Sequence, residues 1–457
     1  MLKRLSLAVS LAVSTQAFAQ DYADFPVTVK GYEGSATTST AYTGQAARQV
    51  LHNSLKSLIG ANADIETLLA YYEGKDEQRK VVDPVSKDGF PVKQSLVADI
   101  SAGKNLSGKA YGGIVNGWPG QMTGDEVLRH LLTKAAESEK GYDPLIGYDY
   151  RQIFSKFAMG AVFYHQAVDV YLDERITAAS HRNDAPYKDG AAYTGKEHVW
   201  DEAFGYFGAP AHTLDLTPAE VYGIAKQKAE LFDKADANDD GVVDLSSEMA
   251  FAHAYYAAGA DKGGKSNYLH TITQAFVDGR QLIADANGEQ LTDDELAKLA
   301  DYADTIKQNW ERVIAEAAFK YAGSVYKDIQ ALLAAIDSGE STSEIIRTYA
   351  KHWGEMKGFA LSLGVSGRDL GAFGVQLDRL IGFSPVMLGD TQVTGIDAEG
   401  NFTQSNSITL QAYALNMLKV QKLLAQQFHL LDRKNDMLNN MDSLAEEIKV
   451  KAHMEND

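Results

Sequence analysis

Residues 198–208 read HVWDEAFGYFG, and their spacing decides which fold the chain is expected to adopt. On a helix that turns 100° per residue, Ala203, Phe204 and Phe207 fall within about 60° of Trp200. These four side chains form an apolar stripe, which is typical of a helix packed against a core. The stretch therefore predicts a buried helix in a helical bundle.

The opposite face of this predicted helix is polar. His198, Glu202 and Gly205 lie within about 60° of one another on that face. A histidine and a carboxylate one turn apart can share a hard or borderline metal ion, and a glycine beside them lets a ligand approach closely. The alternative is a buried hydrogen bond between the two side chains, with the glycine serving only to pack helices tightly.

The same pattern occurs a second time in the chain. The segment WDEAFGY at 200–206 matches WGEMKGF at 353–359 in its tryptophan, glutamate, glycine and final aromatic residue. A weaker match relates 163–171 to 318–326. Such recurrence indicates an internal duplication, although four shared positions also arise by chance in a long helical chain. We expect an all-α fold, built as a duplicated helical bundle.

The second copy repeats the polar face. His352 stands three residues before Glu355, so their side chains are neighbours on one helix. The recurrence favours a metal-binding role for both pairs. An H-E-x-x-H zinc motif is absent, because no second histidine lies four residues from either candidate. Additional ligands would have to come from distant helices, and His165, His253 and His270 are candidates.

Helix-start signals agree with a mostly helical chain, which has only nine prolines in 457 residues. Thr217, Thr292 and Ser341 each precede a glutamate by three residues. At this spacing a hydroxyl and a carboxylate cap a helix N-terminus reciprocally. The strand candidates are short, at 25–29 and 391–394.

Composition and charge exclude several classes of site and partner. The chain has no cysteine, which excludes disulfides, thiolate metal sites, iron–sulfur clusters and cysteine nucleophiles. Its formal net charge of −19 repels nucleic-acid phosphates and anionic lipid head groups. We therefore expect no nucleic-acid partner. The acidity favours solubility and, as an alternative, the attraction of cations.

The N-terminus has the three parts of a secretory signal. Lys3 and Arg4 precede the apolar stretch 5–13, and the small-x-small triplet AFA follows at 17–19. An apolar core this short cannot cross about 30 Å of hydrocarbon, which needs roughly 20 residues. We expect cleavage after Ala19 and a periplasmic or secreted protein that does not span the membrane.

The most specific motif is the acidic stretch DANDDGVVDLSSE at 236–248. An EF-hand-type calcium loop has oxygen ligands at positions one, three, five and nine, a glycine at six and a backbone carbonyl at seven. Those positions hold Asp236, Asn238, Asp240, Asp244, Gly241 and Val242. The acid expected at position twelve comes one residue late, as Glu248. We expect structural calcium here, and the alternative is a solvated acidic turn.

These features predict an order of segments along the chain. They are a signal peptide at 1–19, an N-terminal arm at 20–40, a first helical half at 41–232, a calcium-binding loop at 233–250, a second helical half at 251–447 and a polar tail at 448–457.

Several of these segments together resemble a known family. They are STAYTGQAAR at 39–48, KFAMGA at 156–161, the stretch 198–208, and the acidic loop with its late glutamate. They are similar to an uncharacterised secreted bacterial family related to the imelysin-like proteins, and the likeness covers nearly all of the mature chain. The resemblance implies an exported, duplicated helical bundle with a G-x-H-x-x-E motif. Imelysin-like proteins were named for a proposed peptidase activity, and several members resemble periplasmic components of iron uptake.

The family motif can be carried over residue by residue. Its histidine and acid fall on His198 and Asp201, with Glu202 next to them, and in the second copy on His352 and Glu355. Neither copy has the motif's glycine, and the first has aspartate in place of the glutamate. The resemblance therefore supports metal binding, with iron or zinc as the candidates, more than it supports peptidase activity.

Residues and resemblance together lead to an expected function. We expect an exported, calcium-containing protein that binds a metal ion or a metal-associated ligand. It would act in the acquisition of iron or another metal at the cell envelope. An envelope transport system is a candidate partner. One alternative is a metallopeptidase in which Glu202 or Asp201 activates water. The other is a structural envelope protein stabilised by calcium.

Overall fold

The structure, a computed structural model, describes residues 21–82, 89–177, 181–365 and 368–430, together with 438, 441–443 and 445–446. Helix accounts for 59% of these described residues and strand for 6%, so the prediction of a mainly helical protein is confirmed. The predicted signal peptide at 1–19 and the polar tail at 448–457 lie outside the described residues.

Fourteen α-helices are present in this described part of the chain. They are α1 Thr43–Gly60, α2 Ile65–Tyr72, α3 Val97–Ile100, α4 Gly124–Ala136, α5 Tyr150–Ala158, α6 Gly195–Phe207, α7 Pro218–Ile224, α8 Phe232–Ala235, α9 Ala252–Asp261, α10 Tyr268–Asp285, α11 Asp293–Ser338, α12 Ser343–Leu363, α13 Gly371–Ile381 and α14 Leu410–Gln427. Across the described ranges, none of the helices combines the length and the apolar composition needed to cross a bilayer.

One further helical segment has π geometry. Helix α5 continues directly into the π-helical segment Met159–Arg175, so the two form one long helical rod. The rod is buried along much of its length. Gly160 allows it to cross α12 closely, because an added Cβ would lie 2.2 Å from Ser362 Oγ. Long π-helical runs are rare.

Helix α11, which is 46 residues long, organises the packing. It contacts α9, α10, α12 and α14, while α12 also contacts α5. Helix α6 lies against the π-helical segment, α1 and α10. Trp200 and the three apolar residues of its stripe are fully buried, as predicted. They belong to one hydrophobic cluster that also contains Trp310 and Trp353.

Two of the three predicted helix caps are confirmed. Thr217 and Thr292 each form a capping box at the start of α7 and α11. The prediction at Ser341 is wrong, because α12 begins at Ser343 with Thr342 as its N-cap, and no side chain caps it. The connection between the two helices is short, and Gly339 ends α11 in the left-handed conformation. Thr342 then has helical backbone angles, which do not suit an N-cap residue whose hydroxyl caps the helix.

The strands form two small antiparallel pairs. They are β1 Tyr142–Asp143 with β2 Tyr148–Asp149, and β3 Thr391–Ile396 with β4 Phe402–Asn406. The strand predicted at 391–394 is confirmed as part of β3. The strand predicted at 25–29 is wrong, because only an isolated bridge joins Pro26 to Thr38. A proline has no N–H to donate to a strand ladder.

Candidate functional site

Helix α6 carries the residues that the sequence singles out, and it has well-defined ends. Thr194 Oγ1 accepts a hydrogen bond from the Glu197 N–H at 3.2 Å, and Glu197 Oε2 accepts one from the Thr194 N–H at 2.8 Å. This capping box was missed in the sequence. At the other end Gly208 has a φ of 81°, which glycine adopts without strain. These ends fix the length of the helix and hold its polar face in place.

Arg280 on α10 forms ion pairs with two buried carboxylates of α6. Its Nε donates to Asp201 Oδ1 at 2.9 Å, and its Nη1 donates to Glu197 Oε1 at 3.0 Å. All three side chains are fully buried. Asp201 also accepts hydrogen bonds from the Tyr22 hydroxyl at 3.1 Å and from the Ala41 N–H at 3.0 Å. Both oxygens of Asp201 are therefore engaged by protein groups.

The pKa of Asp201 reflects this environment. Burial raises it to about 6, although the ion pair with Arg280 acts in the opposite direction. A carboxylate held this deeply by a guanidinium is suited to joining helices and has no oxygen left over for a further ligand. The geometry gives Asp201 a structural role.

His198 and Glu202 lie together on the polar face of α6. His198 Nε2 is 3.6 Å from Glu202 Oε2, and the two side chains are 14% and 15% exposed. The imidazole packs against the rings of Tyr187 and Tyr193, at centroid distances of 4.0 and 4.9 Å. Gln45 Nε2 donates to Glu202 Oε1 at 2.6 Å. The predicted pair is therefore shielded from bulk solvent, and its carboxylate is held in place beside its imidazole.

The protonation of His198 suits a ligand role. Burial lowers its pKa, while the nearby Glu202 charge acts in the opposite direction. The imidazole is thus neutral near pH 7, which is the form that donates a lone pair to a metal. Its Nδ1 is buried and has no hydrogen-bond partner among the described residues.

The surroundings of Glu202 are cationic. Burial lowers the pKa of Lys109, and the neighbouring charges of Arg48, Arg175 and Lys104 lower it further, while Glu202 opposes them. Lys104 is affected in the same way by burial and by Arg48. A set of like charges around one carboxylate opposes the entry of a bare metal cation. It favours a partner that carries negative charge.

In the second copy the histidine and the acid have separate partners. His352 Nδ1 lies 2.7 Å from Asp328 Oδ2 on α11. The Tyr321 hydroxyl donates to Glu355 Oε1 at 3.0 Å, and Glu355 is only 7% exposed. The structure therefore does not bring His352 and Glu355 together. The acid beside His352 comes from another helix, a contact that spacing along one helix does not predict.

The first half of the acidic loop turns around its first aspartate. Asp236 accepts hydrogen bonds from the Asp240 N–H at 3.1 Å and from the Gly241 N–H at 2.8 Å. Asn238 Oδ1 also accepts from the Asp240 N–H, at 2.9 Å. Gly241 has a φ of 86°, in the left-handed region that favours glycine. The sharp turn expected from a glycine at the sixth position is present.

The second half of the loop is bonded to the preceding chain. Lys93 Nζ and Gln94 Nε2 donate to the Asp244 carboxylate at 2.9 and 2.7 Å. Burial raises the pKa of Asp244, but hydrogen bonds from Ser246, Lys93 and Gln94 outweigh it, and the pKa is about 2. Glu248 Oε2 accepts from the Asp244 N–H at 2.7 Å, and burial raises its pKa. Asp244 therefore braces the loop.

No group of three or more histidine and acidic side chains within the described ranges is arranged to hold a metal ion. The distant histidines have other partners. His165 Nδ1 lies 3.1 Å from Asp169 Oδ2, and the Nε2 atoms of His253 and His270 each bond a backbone carbonyl oxygen, at 3.0 and 2.8 Å. His198 and Glu202 thus supply two donors for a metal, and none of these three histidines supplies a third donor.

Three cationic residues were missed in the sequence. Arg280 lies on the apolar face of α10, and Lys156 lies among apolar residues of α5. A charged residue in an apolar stripe must find a buried partner or a cavity, which is the signal that could have identified both. Lys56 on α1 is half-buried and lies next to Lys156.

A family model described as "Domain of unknown function (DUF4856)" matches residues 132–332. The matched stretch includes α6, the acidic loop and α10, and it ends before α12. It covers less than half of the chain. Searches of curated proteins and of solved structures each found no match.

Proposed function

We propose that the protein is an exported binding protein that handles iron or another metal at the cell envelope, in the form of a metal-associated ligand. The observation that carries the proposal is the shielded pair of His198 and Glu202, packed against two tyrosine rings. A neutral imidazole and a carboxylate are donors that can complete the coordination shell of a metal. The resemblance to imelysin-like proteins supports iron, and the secretory pattern at the N-terminus supports export.

A metal-associated ligand suits this site better than a bare ion. The pair offers two donors, and the lysine and arginine side chains around Glu202 oppose an isolated cation. A metal held by an anionic carrier brings most of its own ligands, so two protein donors are enough. The carrier's negative charge then lies among the cations.

A duplicated bundle is part of the proposal, and matching contacts in the two halves support it. Gly205 lets α1 approach α6, and Gly358 lets α5 approach α12. In each case an added Cβ would come within 2.7 Å of a side chain of the neighbouring helix. The next residues, Tyr206 and Phe359, each stack on a ring of a long helix, at 5.7 and 6.2 Å.

Calcium in the acidic loop is also part of the proposal. Its support is the turn around Asp236, together with the oxygen-rich side chains of Asn238 and Asp240 and the buried Glu248. No three acidic side chains of the described loop converge as the structure stands, so these residues and the Val242 carbonyl would have to close around the ion to hold it. Asp244, at the ninth position, already accepts hydrogen bonds from Lys93 and Gln94. In this proposal it braces the loop and does not bind the ion, which departs from the EF-hand pattern. Calcium would neutralise the acidic side chains and stiffen the loop.

The metallopeptidase alternative has less support from the geometry. A catalytic metal needs three protein ligands and an activated water. Asp201 is held by Arg280, and Glu202 accepts a hydrogen bond from Gln45. Asp201 therefore has no free position beside a metal, and a Glu202 that binds the metal could not also serve as the general base.

A metal inventory of the native protein tests the proposal. The wild type and the variants His198→Ala, Glu202→Gln and His429→Asn would be purified from the cell envelope without chelators and analysed by mass spectrometry for metals. His429 is an exposed histidine with a φ of 57°, a conformation that asparagine tolerates, so it serves as the matched control.

We expect near-stoichiometric iron or zinc in the wild type and in the control, and its loss in the two α6 variants. Calcium should remain in all four proteins. Equal transition-metal content in all four, or calcium alone, would contradict the proposed binding role. Hydrolysis of a denatured protein substrate that disappears in Glu202→Gln would favour the peptidase instead.

A further inference from the structure

A polar cavity lies outside the site on α6. It has a volume of about 240 Å³, is lined by residues of α1, α5, α9, α11 and α12, and opens to solvent on one side. Four of its lining side chains carry charge in water, and they are Lys56, Lys156, Lys226 and Glu355. Burial lowers the pKa of His52, a fifth titratable group of the lining, to about 3, so it adds no charge at neutral pH. With all four groups ionised, three cations and one carboxylate give the lining a net charge of +2.

The protein compensates the lysine charges only in part, through the charge of Glu355 acting on Lys56 and Lys156. Lys156 is 2% exposed, and its Nζ lies 3.4 Å from Ser155 Oγ and 5.5 Å from the centre of the Tyr256 ring. In the part of the chain that the structure describes, no ion pair joins an acid to any of the three lysines. Lys226 is exposed to water and Lys56 is half-buried, so the cost of an unpaired ammonium group falls mainly on the buried Lys156. Burial, followed by the neighbouring Lys56, therefore lowers the pKa of Lys156 well below its ordinary value.

An anion in the cavity would remove this cost, because it would allow the buried lysines to keep their protons. The size of the cavity indicates an organic anion. Its volume corresponds to roughly eight water molecules at about 30 Å³ each, which is far more than a small inorganic ion occupies. Met159 and Phe251 contribute apolar surface, and the tyrosines of α9 and α11 contribute rings and hydroxyl groups.

We propose that this cavity binds a small organic dicarboxylate. Its two negative charges match the net charge of the lining, its carbon chain fits the apolar and aromatic wall, and its oxygens can accept hydrogen bonds from the lysine ammonium and tyrosine hydroxyl groups. No residue of α6 lines the cavity, so this binding does not depend on the proposed metal site.

Calorimetry with succinate tests the inference. Succinate has eight non-hydrogen atoms and two carboxylates, and succinamide is a neutral molecule of nearly the same shape. We expect the wild type to bind succinate and not succinamide. Titrations in Tris and in MOPS at one pH should differ in heat, because dianion binding draws protons onto the buried lysines.

Variants assign the binding to the cavity. Lys156→Met should weaken succinate binding at least tenfold. Glu355→Gln should tighten it, since the change removes the only acidic charge of the lining and lets the glutamine oxygen still accept from Tyr321. Lys327→Met is the control, because this exposed lysine of α11 loses the same charge outside the cavity.

Several outcomes would overturn the inference. They are the absence of succinate binding at millimolar concentration, equal binding of succinamide, equal binding of inorganic phosphate, and an affinity in Lys156→Met equal to that of the wild type. Lys156→Met is expected to weaken succinate binding and Glu355→Gln to strengthen it. A poorly folded protein does not gain affinity, so misfolding cannot explain both results. Thermal melts of each variant establish folding before the titrations.

Discussion

Removal of Arg280 should destabilise the protein in a way that depends on pH. In Arg280→Met the carboxylates of Glu197 and Asp201 remain fully buried and lose their common cationic partner. Breaking a buried ion pair by removing one partner costs about 3–5 kcal/mol. We expect a loss of this size in the free energy of unfolding near neutral pH.

The sign of the pH dependence follows from Asp201. Its folded-state pKa is already raised to about 6 with the guanidinium in place, and without it the pKa rises further. An acid whose pKa is higher in the folded than in the unfolded state loses stability as pH rises through that interval. The deficit of Arg280→Met relative to the wild type should therefore be larger at pH 8 than at pH 5.

Urea unfolding followed by tryptophan fluorescence measures these differences at both pH values. The double variant Asp201→Asn with Arg280→Met should be at least about 1 kcal/mol more stable than Arg280→Met alone, because one unpaired charge is gone. A single-variant loss below about 1 kcal/mol, or a deficit that does not change with pH, would refute this account of the network.

Three further predictions concern other parts of the molecule. The variant Asp236→Ala with Asp240→Ala should melt in calcium buffer at the temperature of the chelated wild type, and a wild type that melts identically with and without chelator would rule out the calcium site. Acidification from pH 7 to 4 should cost about 3 kcal/mol through His253, because burial lowers its pKa from 6.5 to about 4 and the unfolded chain takes up the proton first. The stability advantage of the wild type over His253→Gln should shrink accordingly in urea titrations, whereas a constant gap would contradict it. Gly279→Ala should cost about 1–3 kcal/mol in thermal melts, because its Cβ would lie 2.1 Å from a tryptophan ring, while Gly263→Ala, with nothing within 4 Å, should change little.

Local sequence patterns predicted local structure well. The apolar stripe around Trp200 and the capping boxes at Thr217 and Thr292 each depend on residues within one or two turns, and all are present. Ser341 failed as a cap because the short connection between α11 and α12 sets the backbone angles there. Residue spacing alone does not contain that constraint.

The partners of the polar residues were harder to predict. Asp201 lies one position from Glu202, yet it is bonded to Arg280, which is 79 residues away in sequence. His352 is paired with Asp328 of α11 instead of an acid on its own helix. Such contacts depend on how helices cross, and a single sequence specifies crossing geometry only through the sum of all packing interactions.

The segment before α1 completes the Arg280 network with residues that are synthesised long before their partners. The Tyr22 hydroxyl bonds a carboxylate 179 residues later, and Ser39 Oγ accepts from a guanidinium 241 residues later. During synthesis from the N-terminus, this segment has only part of its docking surface once α6 has emerged, and the surface is complete only when α10 follows. Its closure over the core therefore comes after most of the chain exists, and a fragment that stops short of α10 would leave its first twenty described residues open to proteases.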